Sequence, residues 1–238
     1  MWHFIYTYIY SDLIYRPLLN LLVFFYHYIP DIGVAIIIIT LLIRLAMAPS
    51  FHKQIKSQKA MTDLQPKLNE LREKHKDDKE GQARAMMELY KEHKINPLSS
   101  CLPLLIQLPI FIALYQVFSK ALNNHLVGLY SFVARPEFIN PKFLGLLDLS
   151  KPSIVLGVLA GLAQFWQSKM MMPKNSGQQD ATTKAMSLQT TYVLPIISVV
   201  IAVKLPAGLP LYWIVTTLFA IGQQYWLHRK PADPNIVK

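Results

Sequence analysis

Five apolar segments, separated by polar segments, predict five membrane-spanning helices. They cover about residues 32–49, 101–118, 153–168, 191–205 and 208–227. A helix that crosses a bilayer needs about 20 apolar residues, with roughly 17 as the lower limit. The third and fourth segments are shorter, which indicates either that the helices extend beyond the apolar runs or that the bilayer thins around them.

The first 31 residues are rich in aromatic side chains, with Asp12, Arg16 and Pro17 among them. Aromatic rings favour the interface between membrane and water. We therefore interpret residues 13–28 as an interfacial helix on the outer surface of the membrane. A sixth span or an uncleaved signal anchor is the alternative, and the segment lacks a basic n-region followed by a cleavage site.

Residues 50–97 are predominantly polar and predict a helical hairpin. One apolar stripe of its first helix consists of Met61, Leu64, Leu68 and Leu71. Residues 77–81 supply the turn, a second helix follows over about 82–93, and Pro66 should kink the first helix. The charged outer side of the hairpin either docks a partner by charge complementarity or is a solvated spacer.

The basic residues are distributed unequally between the two sides of the predicted bundle. The hairpin segment, the loop after the third span and the tail at 229–238 together hold 17 Lys and Arg, whereas the opposite side holds 6. Cytoplasmic loops are rich in Lys and Arg, so the N-terminus is predicted outside and the C-terminus inside. This distribution accounts for the net charge of +10 without nucleic-acid binding, which such a charge would indicate in a soluble protein.

Arg44 is an ionised residue well inside a predicted span. It follows Ile32 by 12 residues, which at about 1.5 Å per residue places it roughly 18 Å from the outer end of the helix. An arginine near the bilayer centre costs on the order of 3 kcal/mol, so such residues usually face a bundle interior or a water-filled cavity. Alternatively, the side chain snorkels to the inner surface, which its depth allows.

Uncharged polar side chains on the same and other spans favour the cavity. Thr40 lies one turn from Arg44 on the same helical face. The others are Gln107 on the second span, Gln164 and Gln167 on the third, and Tyr212, Trp213, Thr216, Thr217, Gln223 and Gln224 on the fifth. Each alone is more often a hydrogen bond between helices than a binding site, but together they indicate a polar cavity whose fixed charge is positive.

Several kinds of chemistry are disfavoured by the sequence. The predicted spans contain no Asp or Glu, which argues against proton-coupled transport. The motifs of zinc proteases, P-loop nucleotide hydrolases and serine hydrolases are missing. The His residues are scattered, and the single cysteine, Cys101, cannot form an internal disulfide. We therefore expect no enzymatic activity, no metal and no cofactor.

Four stretches of the sequence match motifs of one known family. They are 36–44 (IIIITLLIR), 64–67 (LQPK), 96–111 (NPLSSCLPLLIQLPIF) and 205–213 (LPAGLPLYW). In this order, and over about residues 15–229, they closely resemble the YidC/Oxa/Alb family of membrane protein insertases. The chain departs from the family in having no large extracytoplasmic domain, and its short tail holds only three basic groups, so ribosome contact through the tail is not expected.

The resemblance implies an all-α membrane protein with five transmembrane helices around a hydrophilic groove, and with a cytoplasmic helical hairpin. The groove would be open to the cytosol and to lipid and closed outside, with Arg44 as its arginine and Thr40 beside it. The family lines the groove or the substrate slide at positions that match Gln107, Gln164 or Gln167, Tyr212 and Trp213. The corresponding division of the chain is an N-terminal interfacial segment at 1–31, the first transmembrane helix at 32–49, the hairpin at 50–97, the remaining four-helix core at 98–228 and a tail at 229–238.

The function implied is the insertion and folding of membrane proteins, alone or with the Sec translocon. Arg44 would draw an acidic substrate tail into the groove, and burial of the substrate's apolar segment in lipid would drive the step. The partners implied are nascent membrane proteins and the bilayer, with the Sec translocon, the signal recognition particle receptor and the ribosome as candidates at the hairpin. The absence of an Arg- and Ser-rich transit peptide favours a bacterial plasma membrane. The alternatives are a solute transporter or channel subunit, and an assembly scaffold without insertase activity.

Overall fold

The computed structural model describes residues 5–93, 95–96, 102–122, 125–171, 185 and 188–229. This part of the chain is mainly helical and includes one two-stranded hairpin. Some residues on which the sequence predictions depend lie outside the described residues: Cys101, the basic loop residues Lys174 and Lys184, and the tail beyond Arg229.

The helices follow one another along the chain with few long loops. A π-helical segment, Ile5–Tyr15, continues directly into α1, Arg16–Tyr28. The other α-helices are α2 (Ile32–Ala46), α3 (Ala48–Asp63), α4 (Gln65–Lys74), α5 (Lys79–Glu92), α6 (Leu102–Leu122), α7 (Ile154–Met170), α8 (Leu194–Ala202) and α9 (Gly208–Arg229). A second π-helical segment, Gln189–Val193, continues directly into α8. Strands β1 (Lys142–Phe143) and β2 (Leu147–Asp148) pair antiparallel between α6 and α7.

Helix α2 ends earlier than the predicted span at 32–49. The Asp31 carboxylate caps its N-terminus by accepting hydrogen bonds from two backbone amides at 2.9 and 3.0 Å. The helix ends at Ala46 because Pro49 lies in the first turn of a new helix, α3, which leaves at 63°; proline cannot continue a helix but fits its first turn. Among the described helices, no single one is long and apolar enough to cross a membrane, and only α2 and α3 taken together pass that test.

The polar segment folds as a hairpin whose first arm is made of two helices. Pro66 lies in the first turn of α4, so the kink predicted there is a helix break. Leu64 and Leu68 pack against Tyr90 of α5, and all three side chains are at most 9% exposed. Met86 of α5 packs against the same cluster. The predicted apolar stripe therefore does join the two arms of the hairpin.

The main apolar core lies at the end of the bundle where α2 begins and α6 ends. We call this the outer end, following the predicted orientation. Its fully buried side chains include Leu19, Leu22, Ile32, Ile36, Leu114, Val117, Ile139, Leu149 and Leu209. Gly208 allows α9 to approach α2 closely, since an added Cβ would lie 3.3 Å from Ile36 Cδ1. The packing of this half of the bundle is therefore mainly apolar, although the buried Tyr15 hydroxyl has no hydrogen-bond partner among the described residues.

Hydrogen bonds tie α1 to the loop that covers the outer end. Asn20 is buried; its Nδ2 donates to the carbonyl of Gly128 at 3.1 Å, and its Oδ1 accepts from the amide of Tyr130 at 2.7 Å. The Tyr26 hydroxyl accepts from the amide of Asn140 at 2.8 Å. Helix α1 thus contributes its apolar side to the core and its buried polar atoms to a closed outer surface.

Glycines allow α7 and α8 to pack closely. A Cβ at Gly161 would collide with the side chain of Val199, and one at Gly157 would lie 2.7 Å from Val203 Cγ1. Small residues with this spacing are typical of helices that pack within membranes. Helix α9 packs on both α2 and α7, so the order across the bundle is α2, α9, α7 and α8.

We expect Gly161→Ala to lower the thermal unfolding temperature of the detergent-solubilised protein. The added methyl group must displace Val199 or α8, which costs about 1–3 kcal/mol and exceeds the gain in helix propensity of up to about 1 kcal/mol. Gly222→Ala on α9 is the matched control, because nothing lies within 4 Å of the added Cβ. The control should unfold at the same or a higher temperature, and the same result for Gly161→Ala would contradict the close packing of α7 and α8.

Candidate functional site

Arg44 is buried in the last turn of α2. The residue is 7% exposed, and its guanidinium carbon lies 4.5 Å from the ring centre of Phe51 on α3, a cation–π arrangement. Within the described part of the chain, no carboxylate forms an ion pair with it. Burial of an unpaired charge is costly unless other polar groups or water surround it. The surroundings of Arg44 therefore decide what this site can do.

Helices α2 and α9 run side by side in the same direction. Near the outer end, Gly208 lies against Ile36. Further along both helical segments, Trp226 of α9 packs edge-on against His52 of α3, with ring centres 5.6 Å apart. The two contacts occur in the same order along both segments. The positions of the residues between them along the bundle can therefore be compared, and we call such a position the level of a residue.

Polar residues of α9 and α7 lie near the level of Arg44. Arg44 is midway between the two contacts along its own segment, and Thr216 is close to midway on α9. Helix α7 begins beside α9, where Pro152 and Pro206 form a backbone bridge. At about 1.5 Å per residue, Gln164 lies roughly 15 Å along α7 and Thr216 roughly 12 Å along α9.

Several of these polar side chains contain buried atoms without a protein partner among the described residues. They are Thr216 Oγ1, Gln164 Oε1 and Gln223 Oε1. Buried polar atoms in folded proteins are nearly always hydrogen-bonded to protein or to water. These three atoms lie on the inner side of the outer core, with Thr216 and Gln164 near the level of Arg44, and together they have the composition of a hydrated cavity.

The other predicted residues join helices. Gln107 Nε2 donates a hydrogen bond to the Tyr212 hydroxyl at 2.5 Å, and Trp213 packs edge-on against Phe111 at 6.2 Å between ring centres. Both contacts connect α6 to α9 and form one wall of the site. Tyr212 is buried, whereas Trp213 is half-buried.

Thr40 and Gln167 differ from the rest of the predicted set. Thr40 is buried, but its hydroxyl donates to the carbonyl of Ile36 at 2.6 Å and is thus satisfied within its own helix. Gln167 is half-buried on α7. Of the two glutamines left open on this helix, Gln164 is the one whose buried amide oxygen lacks a protein partner, which favours Gln164 as the polar residue of the site.

The first turns of α3 add residues that the sequence did not predict. Phe51 covers the Arg44 guanidinium. Gln54 is 7% exposed and neither of its amide atoms has a partner among the described residues, and the same is true of the buried His52 Nε2. These residues reach the site because Pro49 ends α2 and redirects the chain, and that proline was the one available sequence signal.

The arrangement offers a fixed positive charge and neutral hydrogen-bonding groups to an anionic or polar ligand. Among the described residues, the Tyr212 phenol is near enough to Arg44 to interact with it electrostatically, and its hydroxyl accepts a hydrogen bond from Gln107. In that same part of the chain, no group of three or more His, Cys, Asp or Glu has the arrangement of a metal site. The geometry therefore fits a binding site better than a catalytic one.

Comparisons with known proteins agree on one family. Residues 24–233 match the family model described as 60Kd inner membrane protein. The chain is 36% identical over 221 residues to the membrane protein insertase YidC of Pelobacter propionicus, and 39% identical over 216 residues to that of Geobacter sulfurreducens. It is also similar to a solved structure described as an active YidC insertase with the first transmembrane domain resolved, with 26% identity and a TM-score of 0.61.

The similarities cover most of this chain but less than half of each related protein. The two sequence matches include 92% and 90% of this chain, and 39% and 37% of the relatives. The structural match includes 95% of this chain and 47% of the other. The chain thus spans about two fifths of the length of the curated relatives that it matches. The structural similarity confirms the predicted all-α fold at the level of the helical core.

Hydration of the site can be tested by cysteine labelling in inside-out membrane vesicles, in a Cys101→Ser background. We expect Gln164→Cys to react quickly with a charged, membrane-impermeant maleimide, because the reaction needs a thiolate and therefore water. Leu162→Cys is the matched control two positions away on α7. It is 59% exposed on the bundle surface, yet it should react slowly if that surface faces lipid. Faster labelling of the control than of Gln164→Cys would exclude a wet cavity.

Proposed function

Because the chain belongs to the 60Kd inner membrane protein family, we propose that it is a membrane protein insertase of a bacterial plasma membrane. Its relatives carry the name of a membrane protein insertase. Insertion consists of moving polar and apolar segments between environments, so it requires no covalent chemistry. The observation that supports the proposal best is Arg44, which is buried without an ion pair among the described residues and lies near the level of neutral polar groups on α7 and α9.

We propose that α2, α6, α7, α8 and α9 cross the membrane, with the N-terminus outside and the C-terminus inside. The excess of basic residues on one side supports this orientation. Large apolar side chains exposed on the bundle surface support lipid contact: Leu41, Leu42 and Leu45 on α2, Ile112 on α6, Val158, Leu159 and Leu162 on α7, Ile196, Ile197, Val200 and Ile201 on α8, and Leu218 on α9. Exposed apolar area of this extent is unusual in a soluble monomer.

Helix α1 is proposed to lie at the outer membrane interface. Its Leu19, Leu22 and Val23 are buried against the core, whereas Phe24 and Tyr28 on the same helix are 39% and 68% exposed. Exposed aromatic rings beside an apolar bundle are typical of the interface. The outer core and the hydrogen bonds of Asn20 would then keep the groove closed on the outside.

The groove is proposed to consist of Arg44, Thr40, Gln107, Gln164, Gln167, Tyr212, Trp213, Thr216 and Gln223, with Phe51 and Gln54 added at its inner mouth. A substrate's polar tail would enter from the cytosol and bind near Arg44. Water and amide groups there reduce the thickness of hydrocarbon that the tail must cross, and unpaired polar groups in hydrocarbon are costly. The substrate's apolar segment would then move sideways into lipid, where its burial drives the step.

The proposed partners are nascent membrane proteins and the bilayer, with the Sec translocon as an optional partner. The hairpin of α3, α4 and α5 is the proposed contact for a targeting receptor or a ribosome, since its surface is charged and its own small core is already formed. Neither a nucleotide nor a metal is needed for the proposed mechanism, because lipid burial of the substrate provides the free energy.

The proposal is tested by reconstituting the purified protein alone in liposomes. The measurement is protease-protected insertion of a single-span substrate with a short acidic N-terminal tail, compared with protein-free liposomes. Insertion above that background is expected. No insertion by a folded protein would contradict an autonomous insertase and would favour an assembly scaffold.

Arg44 variants in the same assay test the electrostatic part of the proposed mechanism, in which Arg44 attracts an acidic substrate tail. We expect Arg44→Lys to retain activity and Arg44→Ala to reduce insertion of the acidic-tail substrate about tenfold, equivalent to about 1.4 kcal/mol. A fully formed ion pair at 4 Å and an effective dielectric constant of about 20 is worth about 4 kcal/mol, and hydration weakens it.

Two controls accompany the Arg44 variants. Arg84→Ala removes a charge from the exposed hairpin surface, where Arg84 pairs with Glu80, and should insert the substrate normally. A substrate with a neutral tail should depend less on Arg44. If Arg44→Ala impairs acidic and neutral tails equally, the charge does not act by attracting the tail.

A further inference from the structure

The turn between β1 and β2 presents two leucines to the surroundings. Leu144 and Leu146 are 64% and 89% exposed. The turn is closed by a hydrogen bond from the Leu146 amide to the Phe143 carbonyl at 3.0 Å, and its two central residues, Leu144 and Gly145, have φ of 51° and 72°. Positive φ is uncommon for residues other than Gly, Asn and Asp, and turns of this kind favour Asn-Gly. A leucine at this position is therefore conformationally unfavourable, and exposure of its apolar side chain to water does not offset that cost.

The turn is held rigidly against the outer end of α2. Asp31, which caps α2, also accepts a hydrogen bond from the Leu144 amide at 2.6 Å through its second carboxylate oxygen. The ring of Phe143 occupies the space that a Cβ at Gly33 would need. The two leucines therefore lie at a fixed position beside the first turn of α2, where the hydrocarbon layer would begin in the proposed orientation.

The chemistry around the turn is amphipathic. The same loop exposes Val127, Phe132 and Phe138, at 75%, 77% and 64%. Basic side chains lie among these apolar groups in the sequence: Arg135, Lys142 and Lys151 are all exposed. Lys151 lies 3.5 Å from Asp148, and the hydrogen bond from the Ser150 hydroxyl is the main cause that lowers the pKa of that carboxyl.

The loop is also continuous with the apolar surface proposed to face lipid. Lys151 is followed closely by Ile154 and Val155 in the first turn of α7, which are 73% and 67% exposed. Apolar side chains backed by basic ones are typical of segments that lie in the interface of a membrane. A lipid surface therefore accounts for the exposed leucines without a further protein.

We propose that the turn of Leu144 and Leu146 inserts into the outer leaflet at the boundary between headgroups and acyl chains. This inference rests on the membrane orientation proposed above. Because the turn is bonded to Asp31, its position in the interface fixes the depth of α2 and hence the depth of Arg44. The ligand is the phospholipid surface itself, with acyl chains around the leucines and headgroup phosphates near the basic residues.

The test uses an environment-sensitive nitrobenzoxadiazole label on Leu146→Cys in a Cys101→Ser background. The labelled protein is reconstituted in vesicles of phosphatidylcholine and phosphatidylglycerol, with bromine atoms placed either near the headgroup or near the chain end. We expect a blue shift of the emission relative to Lys76→Cys at the exposed tip of the cytoplasmic hairpin. We also expect stronger quenching by bromine near the headgroup than by bromine near the chain end.

Val155→Cys at the outer end of α7 distinguishes the two proposals. Quenching of the Val155 label together with water-like, unquenched emission from the Leu146 label would overturn the anchor and leave the membrane orientation intact. Water-like emission from both labels would overturn both. Since the vesicles contain only this protein and lipid, quenching of the Leu146 label cannot come from another protein.

Discussion

The burial of Arg44 without a carboxylate partner is the constraint on which the rest of the bundle depends. A guanidinium is never neutral in a protein, so its environment must supply hydrogen bonds or water wherever the chain places it. Ile36, eight residues earlier on the same helix, is buried in an apolar core. Packing only apolar side chains around Arg44 in the same way would leave an uncompensated charge. Towards the inner end, Thr and Gln side chains therefore lie among apolar ones such as Ile221, while the buried side chains of the outer end are mainly Leu, Ile and Val.

The outer and inner halves of the bundle differ in how their buried polar atoms are hydrogen-bonded. At the outer end, Asn20 and Tyr26 bond to backbone atoms of the loop, although the Tyr15 hydroxyl is buried without a hydrogen-bond partner among the described residues. At the inner end, the amide oxygen of Gln164 and the hydroxyl of Thr216 are buried without protein partners. Such atoms are compatible with a folded state only if water reaches them. This difference supports the proposed groove, in which water reaches the inner end of the bundle more readily than the outer end.

The sequence allowed some of these features to be predicted, and the reasons differ between residues. Arg44 was identifiable because an ionised residue inside an isoleucine run has few explanations, and Leu64 and Leu68 because their spacing fits one helical face. Phe51 and Gln54 could not be predicted from the sequence, because their place near Arg44 depends on the angle at which the chain continues after Ala46. The turn at Leu144 was also missed, since strands of two residues show no alternation and a leucine with positive φ contradicts the usual turn signal.

The choice of glutamine over glutamate around Arg44 is consistent with a site that must remain available. A glutamate within contact distance of the arginine would form a buried ion pair with it, and breaking such a pair costs about 3–5 kcal/mol. A substrate carboxylate would have to meet that cost before it could bind. Neutral amides and hydroxyls hydrate the arginine but exchange their hydrogen bonds at little cost, because the net contribution of each is only about 0.5–1.5 kcal/mol. The absence of acidic residues from the predicted spans is thus consistent with the proposal that Arg44 attracts an acidic substrate tail.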